Sequence, residues 1–438
     1  MSEQPEQTER TAPAEPAGGP TKGWRVVVAG AGMAGVQTAV ALRGQGFTGA
    51  ITLIGAEPHQ PYDRPPLSKA VLLGTAEGSA FDVDFEGLGI ELRLGLAVTG
   101  VRPGAHELDT EAGPVPYDTL VVATGAEPLT LPGAAAVPGV HLLRTLDDAA
   151  RLRPVLERKH DIVVVGAGWI GAEFATAARE AGCAVTVVEA ADRLLAGILP
   201  AEVTAPMADW YAERGVDLVL GARVESVEEG TVVLADGRQI PADAVVVGIG
   251  ARPATGWLAG SGIATGPDGA ITADASLRTS LPDVYAVGDC ASFPSARYGR
   301  RLLVHHWDNA LQGPRTVAAQ VVADADADAA AGGVREARDA PAGPPPYDPV
   351  PYFWSEQFGR FVQYAGDHAG ADTLLWRGRP GEGPAWSVLW LRDGALVALL
   401  TVDAPRDLAQ GRKLMLAGAR LDPGRAADPS VPLKAASI

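Results

Sequence analysis

The sequence predicts an α/β protein with two Rossmann-type dinucleotide-binding domains and a small α+β C-terminal domain. Three observations predict it. Two segments, Trp24 to Ile54 and Asp161 to Glu189, each read as a β-branched run, a GxGxxG turn, a helix-compatible stretch and a second β-branched run. Each is followed by a buried-strand run closing on glycine, YDTLVVATG ending at Gly125 and DAVVVGIG ending at Gly250. Near the C-terminus, PYFWSEQFGRFVQYAG and AWSVLWLRDGALVALLTV read as antiparallel strands, with a hairpin turn at Arg392-Asp393-Gly394.

Bulk composition narrows the field. A chain of 438 residues is too long for one core. Its net charge of -17 argues against nucleic acid as a main partner. The two cysteines, Cys183 and Cys290, form no CxxC, so a disulfide framework, a metal cluster and a local dithiol are not expected. The first 22 residues are polar and proline-rich and read as a disordered tail without a signal peptide. No run has the length and apolarity of a membrane span, so a cytoplasmic protein is expected.

The domains follow in order. Residues 23–145 and 270–322 are assigned to a discontinuous first nucleotide domain and 146–269 to the second. Residues 323–346, ADADADAAAGGVREARDAPAGPPP, are expected to be a flexible linker or insertion. Residues 347–438 form the C-terminal domain, closed by a helix-like stretch from Pro405 to Ala417.

Glycines carry the chemistry. Gly30, Gly32 and Gly35 form the first GxGxxG; Gly166, Gly168 and Gly171 form the second. Such glycines permit a tight turn and close approach of a pyrophosphate to a helix N-terminus. Glu189 ends the second strand of the second unit, where a carboxylate takes ribose hydroxyls and repels a 2′-phosphate. That favours NADH over NADPH. The equivalent place in the first unit is looser: Gly55, then Ala56, then Glu57, which is either a ribose ligand or a solvated loop acid. Two dinucleotides in one chain imply electron flow from an exchangeable nicotinamide to a tightly held flavin. Asp289, after the strand VYAVG and Gly288, is either a partner for the flavin ribityl hydroxyls or a turn aspartate.

The order GxGxxG, PYDRPPLSK (Pro61 to Lys69), ATG, GxGxxG, VYAVGDC and HWDNALQ closely resembles the FAD-dependent NADH:ferredoxin reductases of bacterial oxygenase systems. These are the putidaredoxin reductase and biphenyl dioxygenase ferredoxin reductase type, within the pyridine nucleotide-disulfide oxidoreductase-like superfamily. The resemblance implies a glutathione-reductase-like fold, hydride transfer from NADH to FAD, and single-electron delivery to an iron–sulfur ferredoxin, two-iron in type, that supplies an oxygenase. It places flavin contacts at Ala34, Ala56, Lys69, Val98, Arg144, Asp289 and Trp307, with Arg64 projecting from the same proline-rich frame and Ala123, Thr124 and Gly125 forming the ATG turn. It places nicotinamide contacts at Ile170, Glu173, Glu189 and Gly250, and pairs Lys69 with Glu173 beside the flavin. The proline pair Pro65-Pro66 is expected to start a helix after the loop.

Departures from the pattern are Ala56 for an acid, His305 for a glutamate, and Glu127-Pro128-Leu129 for a basic residue. Where thiol-dependent relatives carry cysteine near PPLSK, this chain has Ser68 and Lys69. The flavin must therefore hand electrons outward. Arg297, Arg300 and Arg301 are candidate docking residues for an acidic ferredoxin, or a solvated loop; Arg315 and Arg360 are weaker candidates. An NADH oxidase or rubredoxin reductase of the same fold remains an alternative. So does, from another class, a redox-sensing interaction flavoprotein like apoptosis-inducing factor.

Overall fold

A computed structural model describes residues 23–330 and 344–438; the tail over 1–22 lies outside the described residues. Both glycine-rich units build parallel five-stranded sheets in the same way. In the first, the order is Val284–Ala286, Thr119–Val122, Arg25–Ala29, Ala50–Ile54, Ile90–Arg93. In the second it is Val216–Val219, Ala184–Val188, Asp161–Val165, Ala244–Val247, Val140–His141. The central strands are buried on both faces, which is why they are continuous runs of β-branched residues. Each unit adds a small antiparallel sheet, Val98–Arg102 with Glu107–Thr110 and Val115–Pro116, and Val224–Glu228 with Thr231–Leu234 and Gln239–Pro241.

The two domains are stitched together by Ala126–Pro128 pairing antiparallel with Ala251–Pro253. These strands follow the glycine-closed runs ATG and GIG, so the domain junction lies beside both nucleotide turns. The C-terminal domain is one antiparallel sheet, Tyr352–Gln357, Arg360–Gly366, Ala395–Val402, Trp386–Arg392, Thr373–Arg377, backed by the helix Pro405–Leu416. The expected hairpin is present, and Asp393 takes the left-handed conformation at its turn.

Three expectations are corrected. Val140–His141, assigned to the first nucleotide domain, instead pairs with Ala244–Val247 as an edge strand of the second sheet. The Ala/Asp run beginning at Ala323 is not a flexible connection from its start: the helix Trp307–Ala330 continues through it. Alanine favours helix, and Asp324 ties the segment down by pairing with Arg278 at 2.8 Å and accepting from the Tyr285 hydroxyl at 2.6 Å. Residues 331–343 of the expected linker lie outside the described residues. The Pro65-Pro66 start yields only a 3₁₀ turn, Pro65–Ser68, before the chain turns at Lys69. Among the described residues no helix is long and apolar enough to cross a membrane.

Candidate active site

The glycines of each loop divide by duty. Gly30 has φ +114, and a Cβ there would lie 2.2 Å from the Ala123 carbonyl oxygen. A Cβ on Gly35 would meet the Gly30 carbonyl oxygen at 1.8 Å. Folding alone therefore demands both. Around Gly32 a Cβ would meet nothing within 4 Å. The second loop repeats this: Gly166 (φ +107) faces Gly248 O, Gly171 faces Gly166 O, and Gly168 faces open space. The helices Met33–Gly44 and Trp169–Glu180 start at these open glycines, with no acid in the first turn and no side-chain cap. Their N-terminal N–H groups are therefore available to an anion. The residues fit a pyrophosphate at each loop.

One cavity of about 1290 Å³ joins the two loops. Gly30, Gly32, Ala34, Ala56, Glu57 and Val98 line its first-domain end, and Gly166, Gly168, Ile170, Glu189 and Gly250 its second-domain end. Arg64, Lys69, Arg144, Glu173, Asp289 and Trp307 line it as well, with the Ala123-Thr124-Gly125 turn. Gly35, Gly171 and Gly288 do not; they are packing glycines, and a Cβ on Gly288 would lie 2.9 Å from the Ala34 Cβ.

At the meeting point, Lys69 Nζ donates to Glu173 Oε2 at 2.9 Å. Glu173 is buried on the first turns of the second-domain helix; the Lys69 side chain keeps 24% of its surface exposed. The same carboxylate oxygen accepts from Ser68 Oγ at 2.6 Å, and the other accepts from Ser355 Oγ of the C-terminal domain at 2.8 Å. Three donors thus compensate the burial of one charge.

The rest of PYDRPPLSK is held by its own network. Arg64 pairs with Glu57 at 2.7 Å and donates to the Arg144 carbonyl at 2.6 Å. The Tyr62 hydroxyl donates to Glu57 at 2.6 Å, and burial pushes it up to about 12. Both Glu57 oxygens are thus engaged by Tyr62 and Arg64, so in the cavity wall Glu57 also braces Arg64. Asp63 accepts from the Trp307 indole at 2.7 Å, and burial raises its pKa. Arg144 reaches Asp289 at 3.4 Å.

In the second domain the Glu189 carboxylate accepts from Ala167 N–H at 2.8 Å and Ala191 N–H at 2.9 Å. It braces the glycine loop from the end of its strand. Thr124 Oγ1 donates to the Ala254 carbonyl at 2.8 Å, across the domain junction. Neither cysteine lines the cavity. Burial pushes the Cys290 thiol up to about 11 and raises that of Cys183, so neither is a ready thiolate.

The arginines proposed for docking each have a partner within the protein. Arg297 donates to the Met415 carbonyl at 2.7 Å, Arg300 pairs with Asp367 at 2.6 Å, and Arg301 donates to the carbonyls of Ala273 and Ser292. These are carbonyl and carboxylate contacts that a local reading cannot reveal, and the Arg300 side chain keeps 52% of its surface exposed. Arg360 likewise pairs with Glu213 and lies over the Trp210 ring.

Sequence reasoning missed Asp63, Ser355, His306, Phe353 and Trp354, all at or behind the cavity wall. Phe353 stacks on His306 at 4.4 Å and meets Trp169 edge-on at 4.6 Å; Trp354 meets Trp307 at 5.6 Å. Asp63 had a signal, since it sits within PYDRPPLSK. Ser355 had none, because its partner is far away in the chain.

Comparisons with known proteins identify the family. Residues 24–313 match the pyridine nucleotide-disulphide oxidoreductase family and residues 352–437 the reductase C-terminal family. The 5,5'-dehydrodivanillate O-demethylase ferredoxin reductase subunit of Sphingobium sp. is 38% identical, with 93% of this chain and 97% of the relative covered. The ferredoxin--NAD(+) reductase component of the p-cumate 2,3-dioxygenase system of Pseudomonas putida is 36% identical, covering 94% and 98%. Among solved structures, the covalent putidaredoxin reductase–putidaredoxin complex matches with a TM-score of 0.84 at 32% identity, covering 94% of this chain and 98% of that chain. This chain therefore belongs to the pyridine nucleotide-disulphide oxidoreductase family, as an FAD-dependent, NADH-linked ferredoxin reductase of the kind that serves oxygenases.

Proposed function

We propose that this chain takes electrons from NADH into FAD at the Lys69–Glu173 pair and passes them singly to a two-iron ferredoxin, working in the cytoplasm. One observation carries the proposal: a single cavity runs from one glycine loop to the other past this ion pair, and no thiol lines it. When bound, FAD supplies the chemistry that accepts electrons in pairs and releases them one at a time. The chain supplies everything else.

The first loop and the amides at the start of Met33–Gly44 hold one pyrophosphate, and the second loop with Trp169–Glu180 holds the other. Glu189 would take the hydroxyls of the adenosine ribose of NADH and disfavour a 2′-phosphate there. Lys69 would present its positive charge to the flavin ring, and Glu173 holds the Lys69 side chain in place. Ile170 and Ile249, exposed apolar side chains in the cavity wall, offer an apolar face to the nicotinamide ring.

The test is direct. FAD-loaded protein is mixed under nitrogen with NADH and a two-iron ferredoxin. Rapid bleaching of the ferredoxin supports the proposal. Oxygen uptake in air with no ferredoxin reduction favours an NADH oxidase. A long-lived reduced complex with an altered oligomeric state and little turnover favours a redox-sensing interaction protein.

A further inference from the structure

The geometry points to Ser355 as a positioning residue of the reaction, by which the C-terminal domain sets the Glu173 carboxylate and through it Lys69. This role rests on the function of the Lys69–Glu173 pair proposed above and extends it to a third domain.

Ser355 has no solvent exposure, and Glu173 is 6% exposed. The Ser355 hydroxyl lies 2.8 Å from Glu173 Oε1. Gln357, two residues further along the strand Tyr352–Gln357 and therefore on the same face, brings its amide nitrogen to 3.1 Å from the same hydroxyl. An amide N–H₂ only donates, so the serine oxygen accepts there and its single proton is left for Glu173. The chain Gln357 to Ser355 to Glu173 is thus polarised in one direction, and each bond strengthens the next.

The contact is not isolated. Phe353, on the same strand face, packs edge-on against Trp169 at the start of the helix that carries Glu173. The Phe358 N–H donates to Thr176 Oγ1 at 3.0 Å, three residues after Glu173 on that helix. The strand and the turn after it therefore grip this helix at three points. With Oε1 held on the C-terminal domain, Oε2 has to face Ser68 and Lys69. Without the hydroxyl, the carboxylate gains a rotational freedom that would carry Oε2 away from the ammonium.

The experiment compares Ser355→Ala, Ser355→Thr and Glu173→Gln as FAD-loaded enzymes, reading flavin reduction by NADH in single turnover and, separately, NADH affinity and thermal midpoint. Ser355→Ala is expected to slow reduction at saturating NADH about tenfold, the kinetic equivalent of one hydrogen bond to a charged group. NADH affinity should hold and FAD should be retained. Ser355→Thr, which keeps a hydroxyl, should recover most of the rate. If Glu173→Gln is slow while Ser355→Ala reduces at the wild-type rate, the positioning role is overturned and the role of the pair stands. If alanine and threonine lose rate equally, in step with a lowered thermal midpoint, Ser355 is only structural and the inference is overturned. If Glu173→Gln reduces at the wild-type rate, the pair itself has been misassigned, and the inference falls with it.

Discussion

Lys69 and Glu173 lie 104 residues apart in sequence and in different nucleotide domains, yet their side chains meet at 2.9 Å. Lys69 comes from the proline-stiffened loop after the first βαβ unit and Glu173 from the first helix of the second. The contact therefore forms only when both nucleotide domains are folded and docked. Its surroundings separate the glycines that the fold requires from those that a ligand requires, which leads to the first prediction.

Gly168→Ala places a methyl group where nothing in the protein stands, so the protein should fold and keep FAD. The methyl would enter the space proposed for the NADH pyrophosphate, so KM for NADH should rise about tenfold or more, the effect of losing a single good contact. Gly166→Ala instead drives a Cβ to 2.4 Å from Gly248 O at φ +107, and should lower the thermal midpoint sharply. Steady-state kinetics alongside calorimetry checks both. Equal effects from the two variants would contradict this division of duties.

Glu189→Ala removes the carboxylate proposed to disfavour a 2′-phosphate, together with its brace on Ala167 and Ala191. The ratio of kcat/KM for NADH over NADPH should fall by about a factor of ten, chiefly through loss with NADH. An unchanged ratio would remove Glu189 from cofactor choice.

His306 contributes a pH dependence to stability. Burial holds its folded pKa down to about 4 from an ordinary 6.5, with Asp289 partly opposing. Because the folded value lies below the unfolded one, its stabilising difference is complete above about 6.5 and is lost as pH falls from there through about 4. Thermal midpoints of wild type and His306→Gln should converge over that window on acidification. Parallel curves would show that His306 is not held neutral.

Arg301→Glu should not behave as a pure docking variant. The Arg301 guanidinium satisfies the carbonyls of Ala273 and Ser292, and a glutamate would repel them. NADH-to-dye activity and ferredoxin reduction should fall together, with a lower thermal midpoint. A raised KM for ferredoxin with dye activity intact would instead assign Arg301 to the docking surface.

What the sequence made legible follows the range of the interactions involved. Gly30, Gly166 and Glu189 were readable because a tight turn, a helix start and a strand end are local events with fixed spacing. The hairpin at Asp393 was readable for the same reason. The Lys69–Glu173 contact was reachable only by resemblance, since no periodicity links a loop to a helix in another domain. Ser355 was invisible because its meaning lies 182 residues away. The acidic-alanine stretch was misjudged because composition suggested a linker, whereas alanine's helix propensity and the Asp324–Arg278 pair prevail in the fold.

The most direct measurement is the rate of flavin reduction by saturating NADH in Lys69→Met, with FAD content matched to wild type. If the two nucleotides meet at Lys69 and Glu173, loss of the fixed positive charge should slow reduction about a hundredfold, the usual scale for removing one preorganised electrostatic group. Reduction at the wild-type rate would contradict the account and place the chemistry elsewhere in the cavity.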